Sequence, residues 1–288
     1  MTQREKERWH ENRTHLCGLF QPHGEQPRDC PRDQRSACRS AGRAKNVDRH
    51  HPARNRERTY AFQRSDLAVF VLPTYAGKLP NKLLPYLQRG FRGNGAPAVA
   101  LVSFGNRAFE NSLAELITTL TADGFRPVSG GAFAAEHAFS AAIGTGRPDA
   151  KDYEQLAALG EATAALLRSW DGRPIRLEVP GDAAASYYVP LGLDGQPKAF
   201  LKAKPNTDMD RCTRCGACVK LCPMGSIDPD NVAETPGVCI KCHACIRRCP
   251  FGAKYMDDEN FLSHRGMLER DHRERKEPFW TVAAECIP

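Results

Sequence analysis

Long apolar runs are missing from this 288-residue chain. No stretch approaches the roughly 18 consecutive apolar residues of a membrane-spanning helix, so no span is expected. The opening MTQREKERWHENR has no apolar run behind its charges, so an export signal is not expected and a cytoplasmic setting is. Apolar residues are scarcest over residues 1–60, where Leu16, Leu19, Phe20 and Val47 alone represent Leu, Ile, Val and Phe. So few cannot offset the conformational entropy of ordering that length of chain. What is abundant there is charge, with 14 Lys plus Arg against 8 Asp plus Glu. The whole chain has 41 basic and 34 acidic residues, a net of +7, so residues 61–288 carry only +1. The excess therefore sits on the segment with the fewest folding signals, and no nucleic-acid partner is expected for the remainder. Two readings of residues 1–60 stand: a disordered basic tail, or an out-of-frame segment. Read one nucleotide later, the degenerate codons of His15 to Pro27 permit T-S-V-V-Y-F-S-P-T-G-N-S, an apolar strand and a phosphate-type loop.

From Asp66 the pattern changes. Leu67 to Leu72 is a short apolar run closed by Pro73, and Pro97 to Ser103 is a second, both read as buried strands. A third strand-like stretch, Phe125 to Ala135, carries Gly130 and Gly131, which predict a bend. Helical patterns run through Leu83, Leu84 and Leu87, and through Leu113, Leu116, Ile117 and Leu120. A longer one spans Asp149 to Trp170, with Tyr153, Leu156, Leu159, Leu166 and Leu167 on its apolar side. Strands alternating with such helices predict a parallel α/β sheet over residues 61–170. Residues 171–204 are proline-rich and read as a linker, 205–257 as a cysteine-rich domain, and 258–288 as a C-terminal helix and tail.

Twelve Cys are present, and eight fall in an internal repeat. Residues 212–223 read C-T-R-C-G-A-C-V-K-L-C-P and residues 239–250 read C-I-K-C-H-A-C-I-R-R-C-P, the copies 27 residues apart. Two intervening residues let a loop wrap three thiolates around one cubane, while the fourth Cys, followed by Pro, ligates the other cluster. The spacing thus predicts two [4Fe–4S] clusters. One would take Cys212, Cys215, Cys218 and Cys249; the other Cys239, Cys242, Cys245 and Cys222. A four-cysteine zinc site usually places a longer spacer between its pairs, and disulfides fit poorly without export. Cys17, Cys30, Cys38 and Cys286 lack the spacing, and His243 reads as a solvated loop side chain.

At these residues the chain resembles bacterial two-cluster ferredoxins. The upstream segments VLPTYAGKLPNKLLP, FGNRAFENSL, GAFAAEHAFS and GRPDAKDYEQL resemble the flavodoxin-like half of a flavodoxin–ferredoxin fusion family. That resemblance implies an α/β flavodoxin-like parallel sheet, with FMN as a candidate cofactor, joined to a small α+β two-cluster ferredoxin domain. It also implies that Thr74, Tyr75, Ala76 and Gly77 form one flavin loop, and that Phe104, Gly105, Asn106 and Arg107 form the other. A first strand and phosphate loop should precede Asp66, and none is recognisable there, so the sheet is expected to lack them. The function expected is electron transfer to redox partner proteins of an anaerobic type, with no catalytic residue singled out. The alternative is an FMN-dependent oxidoreductase fed by the clusters.

Overall fold

The computed structural model describes the backbone of residues 13–18, 46–49 and 56–285, and the side chains of 56–284. The disordered-or-misread alternatives for residues 1–60 fall mostly outside that range, as do the side chains of Cys17, Cys30, Cys38 and Cys286. A six-stranded sheet organises the chain. Its strands are β1 (Arg13–Gly18), β2 (Asn46–Arg49), β3 (Asp66–Pro73), β4 (Pro97–Phe104), β5 (Arg126–Ala134) and a late strand, Phe279–Val282. Helices α1 (Leu84–Gly90) and α2 (Ser112–Ala122) fall between strands, and α3 (Ala150–Ser169) follows β5.

The first five strands are parallel and lie in the order β2-β1-β3-β4-β5. This is a doubly wound order, reversing direction between β1 and β3. The expected absence of a first strand is therefore corrected. β1 occupies the central place, in register from Arg13 opposite Asp66 to Gly18 opposite Val71. Its backbone N–H and C=O groups complete the ladder that β3 would otherwise leave open, a demand that does not depend on side-chain hydrophobicity. That is why a segment with a single Leu escaped the apolar pattern.

β3 alternates buried and half-buried residues, with Ala68 and Phe70 fully enclosed. Phe70 meets the rings of Phe91 and Phe125 edge-on at 5.3 and 5.1 Å, and Phe62 closes on Phe125 at 5.1 Å. Such pairs contribute about 0.5–1.5 kcal/mol each beyond their burial. The predicted bend at Gly130 and Gly131 is not where β5 is irregular. The register shift skips Val128, so that Val99 pairs with Ser129. Gly131 instead admits a neighbour: a Cβ there would stand 3.2 Å from the Trp280 Cβ. Trp280 lies on the late strand, Phe279–Val282, which runs antiparallel beside β5 and returns the C-terminal tail to the sheet.

Helix α3 begins at Asp149, whose carboxylate accepts from the Asp152 N–H while the Asp152 carboxylate accepts from the Asp149 N–H, a reciprocal cap. A hydrogen bond from Arg275 is the main influence holding the Asp149 carboxyl down at about 2. The apolar side read for this helix is only partly the buried one. Leu159 is buried with Thr163 and Asp152, whereas Tyr153 and Leu156 are exposed. Thr163 donates to Ser129 at 2.8 Å, so a polar contact helps to fasten the helix to β5. Among the described residues no helix is long and apolar enough to cross a membrane.

Candidate metal centre

The cysteine-rich segment is closed by two short strands. Asn206–Thr207 and Lys254–Tyr255 pair antiparallel, bringing together the two ends of a loop that carries both motifs. Within that loop the motifs repeat in backbone as well as in sequence. Arg214 and Lys241, each just before the second Cys of its motif, are left-handed with φ of 57° and 56°. Gly216 and His243, each just after that Cys, are left-handed with φ of 71° and 59° and cap short helices at Ala217–Leu221 and Ala244–Arg247. Left-handed residues beside helical ones turn successive N–H groups toward one point and so favour negative charge there. Three of the four are not glycine, so the loop holds strained backbone, as functional loops do.

The repeat extends past the proline that closes it in the sequence pattern. Pro223-Met224-Gly225 and Pro250-Phe251-Gly252 both end in a left-handed Gly, at φ of 60° and 59°. The Gly225 and Gly252 amides donate to the carbonyls of Cys222 and Cys249 at 3.2 and 3.1 Å. One residue later, Ser226 N–H donates to the Cys222 Sγ at 3.3 Å and Ala253 N–H to the Cys249 Sγ at 3.2 Å. These amide–sulfur contacts were not anticipated from the cysteine spacing; the repeated Gly was the available sign.

Two cavities sort the eight thiols. One is lined by Cys239, Cys242, Cys245 and Cys222, together with Met224, Ile240 and Ile246, and encloses about 410 Å³ of non-atom space, mouth included. The other is lined by Cys212, Cys215, Cys218 and Cys249, with Phe251 and Lys254, and encloses about 320 Å³ on the same measure. Each cavity thus receives three thiols from one motif and the fourth from the other. A set of four thiols around each is a donor set suited to an iron–sulfur cluster.

The two cavities differ electrostatically. Burial pushes the Cys242 and Cys245 thiols up to about 12, with neighbouring thiols adding to the rise at Cys245. Burial also raises Cys218. At Cys249 burial raises the thiol as well, but amide donors from Ala253, Phe251, Lys254 and Gly252 together hold it below its ordinary value. Lys254 is itself buried and donates to the Val232 carbonyl at 2.5 Å. Its charge favours the thiolate at both Cys218 and Cys245, one thiol from each cavity.

His243 is not the solvated side chain expected. It is 6% exposed, with its ring 4.9 Å from Phe139 and 5.1 Å from Phe261. Phe139 and Phe261, both distant in sequence, enclose the ring and keep it from solvent.

The loops expected to hold a flavin ring lie at the carboxyl ends of β3 and β4, where doubly wound sheets bind ligands. There the chain covers itself. Thr74 Oγ1 shares a hydrogen bond with Ser112 Oγ at 2.7 Å, and the Ala76 carbonyl accepts from Tyr188 N–H at 2.9 Å. A Cβ on Gly77 would strike Glu110, and one on Gly105 would strike His137. Phe104 is in the core beside Phe109. Asn106 is 1% exposed and donates to the carbonyls of His272 and Glu274 while accepting from Lys276 N–H. Arg107 pairs with Glu110 at 2.6 Å and lies 3.9 Å over the Tyr188 ring.

The proline-rich segment supplies much of this cover. Lys78 donates to the carbonyls of Ala183 and Ala185 at 2.7 and 2.8 Å, and the Tyr187 hydroxyl donates to Leu79 O at 2.6 Å. Burial, with Glu115 nearby, pushes the Tyr187 phenol up to about 12, which keeps that donor protonated.

Residues 204–250 match the family model of the 4Fe-4S dicluster domain. The chain carries a ferredoxin-type iron–sulfur domain. Its indicated chemistry is iron–sulfur electron transfer, and the domain stands beside a mixed α/β part with a mostly parallel sheet. The match ends just short of Lys254–Tyr255, the strand that closes the motif loop. No curated protein matches the chain.

Proposed function

We propose that the chain is an electron carrier with two [4Fe–4S] clusters, ligated crosswise. Cys212, Cys215, Cys218 and Cys249 hold one; Cys239, Cys242, Cys245 and Cys222 hold the other. The observation that carries this reading is the sorting of the eight thiols into two cavities, three plus one in each. Bound there, each cluster would take up and release one electron at a time. The cysteines fill every corner, which leaves no open iron for a substrate and favours carrying over catalysis. Ser226 and Ala253 aim amides at the fourth sulfur of each set and so tune its charge. Val219, Ile240 and Ile246 are half-buried beside the motifs and hold water back. Shielding disfavours the added negative charge of the reduced state, so the potential is low.

The proposed organisation is a flavodoxin-like sheet, a strap over its loop ends, and a two-cluster domain. The strand order supports the first of these. The side chains at its ring-binding loops do not fit a flavin as they stand, because Thr74, Asn106 and Arg107 are engaged by the chain itself. An anaerobic reductive titration tests the reading. Uptake of about two electrons per chain, with both couples well below zero on the hydrogen scale, is expected. Couples well above zero, or no uptake at all, would contradict it.

A further inference from the structure

We infer that the two cluster sites are inequivalent stations: the second-motif site is the inner one, seated against the carboxyl edge of the α/β sheet, and the first-motif site is the outer port for redox partners. The inference rests on the two-cluster reading above and adds a direction to it.

The inner placement follows from packing. Cys242 and Ala244 are buried in one apolar group with Leu83, against which Tyr75, Met224 and Ile240 pack. Tyr75 and Leu83 belong to the segment that follows β3. On the same side, Arg247 forms an ion pair with Glu136 and donates to the His137 carbonyl at 3.3 Å, and both partners follow β5. The ring of Phe139, from that stretch too, lies 4.9 Å from His243. Two strand ends of the sheet thus reach the second motif between its second and fourth cysteines. Arg56 adds a contact to the Pro223 carbonyl at 2.5 Å, beside Cys222.

The first motif faces the other way. Cys215 is exposed, as are its neighbours Thr213 and Arg214 and, further on, Lys220. Phe251 lines that cavity at 45% exposed and Val238 lines the other at 52%, so the contrast lies at the thiols themselves, with Cys215 exposed and Cys242 buried. Electron transfer falls steeply with distance, so a partner in solution meets the first-motif site first. The balance is simple. A low-potential one-electron donor protein loses one electron to the outer site. With clusters bound, the site of Cys212, Cys215, Cys218 and Cys249 would be reoxidised on passing that electron inward, and the site of Cys239, Cys242, Cys245 and Cys222 would be left reduced by one.

The test uses the full chain, loaded and kept anaerobic. A soluble iron chelator is added, and released thiols are trapped with iodoacetamide and located by mass spectrometry. Cys212, Cys215, Cys218 and Cys249 should be alkylated first, about tenfold faster than Cys222, Cys239, Cys242 and Cys245, because release from the set packed against the sheet, with Cys242 buried, requires additional local opening. The reverse order overturns the inference. A chain that holds no iron and alkylates fully without chelator fails the two-cluster reading instead.

Loss of one cluster can unfold the domain and free the other, so a second readout is needed. A soluble dysprosium complex should broaden the electron-spin signal of the reduced cluster that Cys215→Ser shifts, and largely spare the signal that Cys242→Ser shifts. Equal broadening, or broadening of the Cys242 signal alone, also overturns the inference.

Discussion

Cys222→Ala should disable the second-motif site and spare the first. By sequence Cys222 belongs to the first motif, yet it lines the cavity of Cys239, Cys242 and Cys245. Its Sγ accepts the Ser226 amide there, at the place where Cys249 and Ala253 stand for the other cavity. With the thiol gone, the second site retains three sulfurs, while the first keeps all four. Iron per chain should fall from about eight toward about four, the content of one cubane. Thiol trapping identifies the site lost. Cys239, Cys242 and Cys245 should become alkylatable while Cys212, Cys215, Cys218 and Cys249 stay protected. If Cys212, Cys215 and Cys218 react instead, ligation is sequential within each motif and the crosswise assignment is wrong.

Asp152→Ala should cost the folded protein about 3–5 kcal/mol, because it removes one partner of a buried ion pair. Asp152 is 1% exposed and accepts two hydrogen bonds from Arg147, one of them at 2.5 Å, as well as the Asp149 amide that opens α3. Arg147 is itself 8% exposed, so truncation leaves a buried guanidinium with only the more distant Asp149 carboxylate, at 3.9 Å, as counter-charge. Arg275 also reaches Asp152 at 3.3 Å, and Arg147 donates to the Lys276 carbonyl at 3.0 Å. The same network therefore ties the segment before the late strand to the start of α3. Urea unfolding of the anaerobically loaded protein measures the effect through the transition midpoint. A loss below about 1 kcal/mol, the scale of an exposed pair, would mean that water reaches the pair in solution.

The cysteine repeat was legible because metal ligation constrains residue type and spacing together. The strands β3 and β4 were legible because both faces of a central parallel strand are buried, so Leu67 to Leu72 and Pro97 to Ser103 read as short apolar runs. β1 and β2 were not. β1 is placed by backbone pairing with β3 and β2 by pairing with β1, and Leu16 and Val47 are the only aliphatic residues they offer. The strap was hidden for a similar reason. Lys78 and Tyr187 anchor it through main-chain carbonyls, which no residue pattern announces. His243 misled because a histidine in a turn reads as solvated until Phe139 and Phe261, distant in sequence, are placed against it. On α3, Tyr153 and Leu156 follow the helical period yet lie outside the contact, since β5 and the late strand cover a narrower face than the apolar stripe offers.

The most direct test is a count of iron, acid-labile sulfide, zinc and flavin per chain after anaerobic purification of the full-length protein. Crosswise ligation of two cubanes predicts about eight iron and about eight sulfide. Zinc and stoichiometric flavin should both be absent. Zinc in place of iron, or iron without sulfide, would contradict the account at its centre.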